Sequence, residues 1–540
     1  MAASFKRTEQ KWHPSSLLAY PTFQNCHNDF KPVISSTKSS TTWTVDIQAG
    51  TYFYDCSLTS RRFALAGVAC SAVFGCMCVI AGAVIMATHG GAGIAPIGID
   101  SHKEMLALML SLIITLCTES TGFVHGISQR SALASESRLH FATNLRLLTA
   151  ARGCCNPNGA LMNVIMAILL VMSYSSASMI INFYGTVSFC VAGLPLALLG
   201  VALLLQTVIA LSGMRTVNIL TWSSSAFDLT AALVHHTQLT PVPLQCMRAV
   251  SGLDVNRGPA TPSKIQPSAW LAHPSIRKVV ICLWGLVVAC VGWAGAVAYF
   301  APKYSGPFSN TVTLSETPWT FLPNETGLVN SFVYFYPPSG SFTVLGWLQF
   351  CIILMVVQGP LTLGLHCSEL VANVFRDERY WRCATGRKGL RMARSPPNLV
   401  GLVVFVAKAA LHWMYSLSFI VTGTAMDLEL SDLTITMLTV QIFNLSTALF
   451  IFASFFTLVA LHRPRGPQPA AYGHLQTLAN LVDEWSPVMW WGHKEDGIPY
   501  CHAGRENVML NRKCVDASTT GTSDHPLPPV KMDCVYASVS

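Results

Sequence analysis

Glu119 stands in the middle of an apolar run, SLIITLCTESTGFVHG at 111–126, with His125 six residues on. Lys408 stands in a second such run, LVVFVAKAALHWM at 402–414, with His412 one helical turn beyond it. A carboxylate and an ammonium flanked by imidazoles can neutralise each other as an ion pair, or hold and pass a proton or small cation. His366 and Glu369 have the i,i+3 spacing of metal ligands, but sites of that kind draw on a matching pair from another helix. The sequence offers no such pair, so neither a metal nor a cofactor is expected. HExxH, G-x-S-x-G, Walker and aspartate-rich motifs are all missing, and the chain does not read as an enzyme.

The elements that must position these residues follow from composition. The chain has 540 residues, 51% apolar and 11% charged, with a mean hydropathy of +0.45, whereas a soluble domain carries about a quarter charged residues. Runs of about 20 apolar residues, enough to cross a ~30 Å hydrocarbon layer as helix, occur eight times. They lie near 63–87, 105–127, 159–182, 188–212, 279–300, 342–366, 399–424 and 433–461. The expected fold is therefore all-α, a polytopic transmembrane bundle of about eight spans. Glu119 falls in the second span and Lys408 in the seventh. Each is ten or eleven residues from the same end of its helix, so both sit roughly 15 Å deep and can pair across the bundle.

Lysine and arginine are retained on the cytosolic side. With both termini on one face, that face receives 31 of the 34 and the other only Lys103 and Lys303. Both termini are thus expected in the cytosol. The sequon at Asn324 lies in the loop 301–341 assigned to the exterior, as a glycosylation site must. None of the 18 cysteines falls in the four exterior loops of 17, 5, 41 and 8 residues, so no disulfide framework is expected there. Cys154, Cys155 and Cys367, beside span ends, read as small apolar residues over palmitate sites. The location expected is integral to a membrane of the secretory pathway, the plasma membrane as its end. The net charge of +8 suits a basic face beside anionic lipid and requires no nucleic acid.

The chain divides into a partly disordered cytosolic tail (1–62), a four-span half (63–212), a cytosolic loop with a short helix (213–278), a second four-span half (279–461) and a cytosolic tail (462–540). The halves share no evident residue-level similarity. Ser225 and Asp228 have capping-box spacing before that short helix, and the paired His235 and His236 read as surface residues. The second span can run on helically past Arg130, Arg138 and Arg146, while Asp377-Glu378-Arg379 reads as a solvated turn. In the last tail, residues 472–485 have apolar positions at helical spacing, and MWWGHKEDG follows as an interfacial anchor or a contact with the other loops. Residues 472–497, together with a polyproline-like stretch at Pro526, Pro529 and Lys531 in an otherwise disordered end, are candidate docking sites for cytosolic proteins.

The stretches LCTESTGFVHGISQRSALASESRLHFATNLRLL, TWSSSAFDLTAALVHHTQL, LHCSELVANVFRDERYWR and QPAAYGHLQTLANLVDEWSPVMWWGHKEDG, in this order, resemble a family of multipass integral membrane proteins of filamentous fungi. The resemblance covers most of residues 60–505. It implies the fold class and a fungal source, and brings no activity, cofactor or site residue. Function therefore has to come from sites. One reading makes the protein a transporter or channel with Glu119 and Lys408 at its centre. Its polar pathway would run through His125, His412, Gln358, Gln441 and Asn444, with Pro195 and Pro360 kinking their helices. The other makes it a membrane scaffold or signalling component that recruits partners through its tails, the serine- and threonine-rich 35–44 included.

Overall fold

A computed structural model describes residues 54 and 58–536, apart from 90–92, 98–102, 146–148, 154–155, 185–187, 243–244, 253–258, 305–318, 323–330, 337–343, 393–398, 427–428, 483–484, 494–513 and 516–525. Eight helices in this set are long and apolar enough to cross a membrane. They are α1 (Leu58–Thr88), α2 (Lys103–Ser135), α3 (Ala160–Ile180), α4 (Gly193–Arg215), α7 (Pro274–Tyr304), α8 (Val344–Arg382), α9 (Leu399–Leu417) and α10 (Thr439–Leu461). Three short helices, α5 (Ala226–His235), α6 (Ala269–Ala272) and α11 (Leu475–Leu481), lie between or after them. The protein is a multipass membrane helix bundle.

Each half packs by the same scheme. Helix α4 lies against α1, α2 and α3, as α10 lies against α7, α8 and α9; between the halves, α2 meets α9 and α3 meets α8. The α1–α4 contact is made by glycines. A Cβ on Gly200 would come 2.5 Å from the Gly75 carbonyl oxygen, and one on Gly82 would come 2.5 Å from that of Gly193. In lipid, where no hydrophobic effect drives helices together, this close backbone approach supplies the dispersion contact.

The span ends differ from the hydropathy windows, and the difference is a sheet. Helix α9 stops at Leu417 where apolarity continues to 424, α10 begins at Thr439 where it begins at 433, and α4 begins at Gly193 where it begins at 188. The surplus residues are strands: β3 (Ser188–Ala192), β6 (Phe419–Met426) and β7 (Glu429–Leu438), joined by β1 (Ile94–Ile97), β2 (Ile181–Tyr184) and β4 (Ser331–Tyr336). Apolar runs rich in β-branched and aromatic residues, as in FIVTGTAM and TITML, satisfy a hydropathy window and a strand equally well. The six strands form one sheet in the order β1-β3-β2-β6-β7-β4, and every neighbouring pair is antiparallel except β2 and β6. All six lie where α1, α3, α7 and α9 end, so the sheet occupies one face of the bundle. Cys190 belongs to β3, so one cysteine does reach this face. Pro195 is the third residue of α4, where its missing N–H has no partner to lose, so it starts the helix without kinking it. Pro360 is internal to α8.

On the opposite face the segments between spans form a packed domain with its own core, which includes Phe227, Trp381, Leu475, Leu478, Trp491 and Tyr536. Helix α8 runs sixteen residues past the expected end of its span, carrying Asp377 and Glu378 into this core instead of into a solvated turn. Glu378 accepts backbone N–H bonds from Ala471 (2.9 Å) and Tyr472 (3.0 Å) and pairs with Arg382, whose guanidinium also donates to the Gln468 carbonyl. That carboxylate thus pins the tail to α8. Helix α2, by contrast, ends at Ser135 because Ser137 takes a left-handed φ of 54°; Arg130 is turned inward to donate to the Ser223 carbonyl at 2.6 Å, away from any headgroup. Arg146 lies outside the described residues.

The amphipathic segment is helical only over α11, because Tyr472 (φ 47°) and Gly473 (φ 70°) form a left-handed turn before His474 caps it. Strands β5 (Leu390–Arg391) and β8 (Val488–Met489) pair, and Trp491 N–H donates to the Ala384 carbonyl, so the tryptophan segment docks on the α8 end. The final segment is held too. Strand β9 (Cys514–Val515) pairs with β10 (Val535–Tyr536), Tyr536 N–H donates to the Ala260 carbonyl, and His493 N–H donates to that of Pro528. Pro526 and Pro529 remain exposed on this docked segment.

Candidate functional site

Helices α2, α8 and α9 bring four ionisable side chains together near mid-span. Lys408 Nζ donates to Glu119 Oε1 at 2.6 Å, contacts Glu369 Oε1, and lies 3.3 Å from His366 Nδ1. The expected partnership of Glu119 and Lys408 is therefore present, with a second carboxylate and an imidazole added. His366 Nδ1 is 3.4 Å from Glu119 Oε1 and 4.0 Å from Glu369 Oε1. His366 Nδ1 can accept from the ammonium or, when it carries a proton, donate to Glu119. Two carboxylates and one ammonium thus meet around a single imidazole.

Helix α3 supports the cluster. Tyr174 stacks on His412 with ring centroids 3.7 Å apart and an interplanar angle of 12°; its hydroxyl donates to Thr115 Oγ1 at 3.0 Å and lies 3.3 Å from Thr118 Oγ1. Gln358 Nε2 sits 3.3 Å from His412 Nδ1. His412 and Gln358 are thus neighbours of the cluster on the side toward the sheet. Gln206, at the same level, donates to Ser173 Oγ at 2.9 Å.

The cluster forms one wall of a cavity of about 390 Å³. Glu119, His366, Glu369 and His125 line it, and it runs to Thr143, Asn144 and Leu145, which follow α2 on the face opposite the sheet. Met166, Leu170, Val279 and Leu363 give it apolar sides. The side chain of Lys408 is 1% exposed, against 28% for Glu119 and 27% for Glu369. The lysine sits behind the carboxylates, so the cavity meets acidic oxygens. One ligand atom from each of Glu119, His366 and Glu369 falls within 4.8 Å of the others, a donor set a divalent ion could use. The Lys408 ammonium touches both carboxylates, so such an ion would have to displace it.

Other expected residues go elsewhere. Gln441 and Asn444 bond each other at 3.1 Å, and both donate to the Thr320 carbonyl at the sheet end of α10, forming a separate network. Asn324 lies outside the described residues. Glu369 is the residue that hydropathy passes over, because the charged stretch after it ends the apolar window at 366. Its signal is local: Cys367-Ser368-Glu369 repeats the pattern of Cys117-Thr118-Glu119. Cys367 itself borders the cavity. Tyr174, a tyrosine in an apolar helix, carries no sequence signal of its own.

No family model, curated protein or solved structure matches this chain.

Proposed function

We propose that the protein is a transporter whose central carboxylates bind a proton or a cation taken up from the cytosol. The observation that carries this reading is the cavity wall of Glu119 and Glu369, with Lys408 behind it. A charged group at mid-membrane is costly, by about 2.5–3.5 kcal/mol on insertion scales, so carboxylates that face a cavity there are stabilised by taking up a proton or a cation. Water filling the cavity can deliver one. A purely structural clamp would need neither the cavity nor the second carboxylate. The cavity opens away from the sheet, toward the face that the lysine and arginine count assigns to the cytosol; in this orientation loop 301–341 with Asn324 is exterior, as a secretory-pathway protein requires.

The scaffold reading keeps one supporting observation, the exposure of Pro526 and Pro529. The apolar face of 475–481 and Trp491 is consumed by packing within the chain. Dicyclohexylcarbodiimide, which reacts with protonated carboxyl groups in apolar surroundings, tests the transport reading directly. Peptide mass spectrometry on the reconstituted protein should find Glu119 or Glu369 modified, faster at pH 5.5 than at pH 8. Failure of both carboxylates to react at either pH refutes a titratable central site.

A further inference from the structure

The two halves repeat each other in detail that their sequences hide. From the middle of the sheet outward, the first half contributes β2, β3 and β1 and the second β6, β7 and β4. In each half the two inner strands form the connection between the third and fourth spans, and the outer strand comes from the connection between the first and second. Within the halves all pairings of this sheet are antiparallel; its one parallel pairing is β2 with β6, across the halves. Two identical strands related by a two-fold axis along their length must pair in parallel, so this is the pairing such an axis demands.

The helices obey the same operation. Exchanging α1–α4 with α7–α10 turns the α4 contacts into the α10 contacts and turns the α2–α9 contact into the α3–α8 contact. Helices α1 and α7 are both 31 residues long, and α4 and α10 are both 23. The exchange relates α2 to α8, and each carries the same local pattern, Cys117-Thr118-Glu119 on one and Cys367-Ser368-Glu369 on the other. The cluster's two carboxylates thus stand on the two helices that the exchange relates, and Lys408 of α9 has no counterpart charge on α3.

We infer that the protein is a tandem repeat of two four-span bodies about an axis along the membrane normal. The β2–β6 pairing is the gate that closes the site from the sheet side while the halves rock against each other. This rests on the transport reading. It follows from position: in the described residues β2 and β6 are the one strand pair that joins the halves, and their register has only two rungs, Phe183 with Thr422 and Tyr184 with Gly423. The ladders inside the second half are much longer, six rungs for β4–β7 and eight for β6–β7. Parallel pairing is also the weaker kind per residue. A sheet that splits will split there, and the split opens a path between α2, α3, α8 and α9 to the carboxylates.

Cys367 reports which side the cavity faces. In vesicles of defined orientation, a membrane-impermeant maleimide is applied from one side at a time, and modification of the Cys367 peptide is read by mass spectrometry. Wild type should be labelled from both sides, faster from the tail side. The pair Phe183→Cys with Thr422→Cys, bridged by a short bis-maleimide, should lose sheet-side labelling by tenfold or more and keep tail-side labelling at the wild-type rate; the unbridged pair should label like wild type, which controls for folding. Sheet-side labelling that survives bridging overturns the gate. Labelling from the tail side alone in wild type overturns alternation while leaving the cavity intact. Labelling from neither side means a closed cavity, and the transport reading falls with it.

Discussion

Neutralising one carboxylate of the cluster and neutralising both should differ in kind. Lys408 is almost fully buried and touches Glu119 and Glu369, so Glu119→Gln leaves the ammonium with Glu369, and Glu369→Gln leaves it with Glu119. Each single change removes one of two charged hydrogen bonds. Both carboxylates are more than a quarter exposed, so each loss should lie near the low end of the range for charged bonds, about 1–1.5 kcal/mol. The double change leaves the ammonium without a carboxylate, and removing the partner of a buried charge costs about 3–5 kcal/mol. The double should therefore exceed the sum of the singles by about 1 kcal/mol or more, the mark of coupled sites. Adding Lys408→Met to the double should recover most of the loss, because an apolar replacement of a whole buried ionic group is nearly neutral. The assay is the heating midpoint of fluorescent-protein fusions in detergent, read by size exclusion under one protocol, since such unfolding is irreversible. Additive singles, or a triple variant no better than the double, would refute the reasoning.

The α1–α4 glycines should tolerate nothing larger. Gly200→Leu is expected to cost at least 1–3 kcal/mol through overpacking, whereas Gly292→Ala, with open space around it, should leave the same heating midpoint unchanged. Stability should also fall in mild acid. Burial pushes His273 and His474, which flank Phe141 in the tail-side domain, down to about 4. The folded state keeps these rings neutral while the unfolded chain takes up protons below about 6.5. Their contribution is thus complete above pH 6.5 and fades toward pH 4, by about 1.4 kcal/mol per pH unit for each ring. A midpoint that does not move between pH 7.5 and 5 contradicts this. Glu378→Gln should weaken the hold on Ala471 and Tyr472 by about 1–3 kcal/mol, and limited proteolysis should then cut between 472 and 491 faster than in wild type.

Hydropathy and charge alone make the eight helices legible, and matched depth makes the Glu119–Lys408 contact legible, because both depend on one-dimensional distances along helices. What they miss is three-dimensional. Glu369 sits one turn past the apolar window that defines its span, so a rule that searches windows for charges excludes it. The sheet escapes because its strands continue the helices' own apolar runs, where a hydropathy window cannot distinguish period 2 from 3.6. Asp377 and Glu378 look solvated because their partners, Arg376 beside one and the tail backbone at 471–472 beside the other, include groups ninety residues away. Gln441 and Asn444 look like members of the central pathway because depth along α10 says nothing about which way they turn.

The parallel rungs between residues 183 and 422 also set an order for biogenesis. Strand β2 leaves the ribosome while the whole second half is still unmade, so its outer edge waits without a partner until α9 has crossed the bilayer. The first half can complete β1, β3 and β2 by itself, and the second can complete β4, β7 and β6. Joining the two then has to wait for the second half, on the side of the membrane where α1, α3, α7 and α9 end. A chain stalled before that step exposes an unpaired strand edge, the feature most prone to pairing with the wrong neighbour.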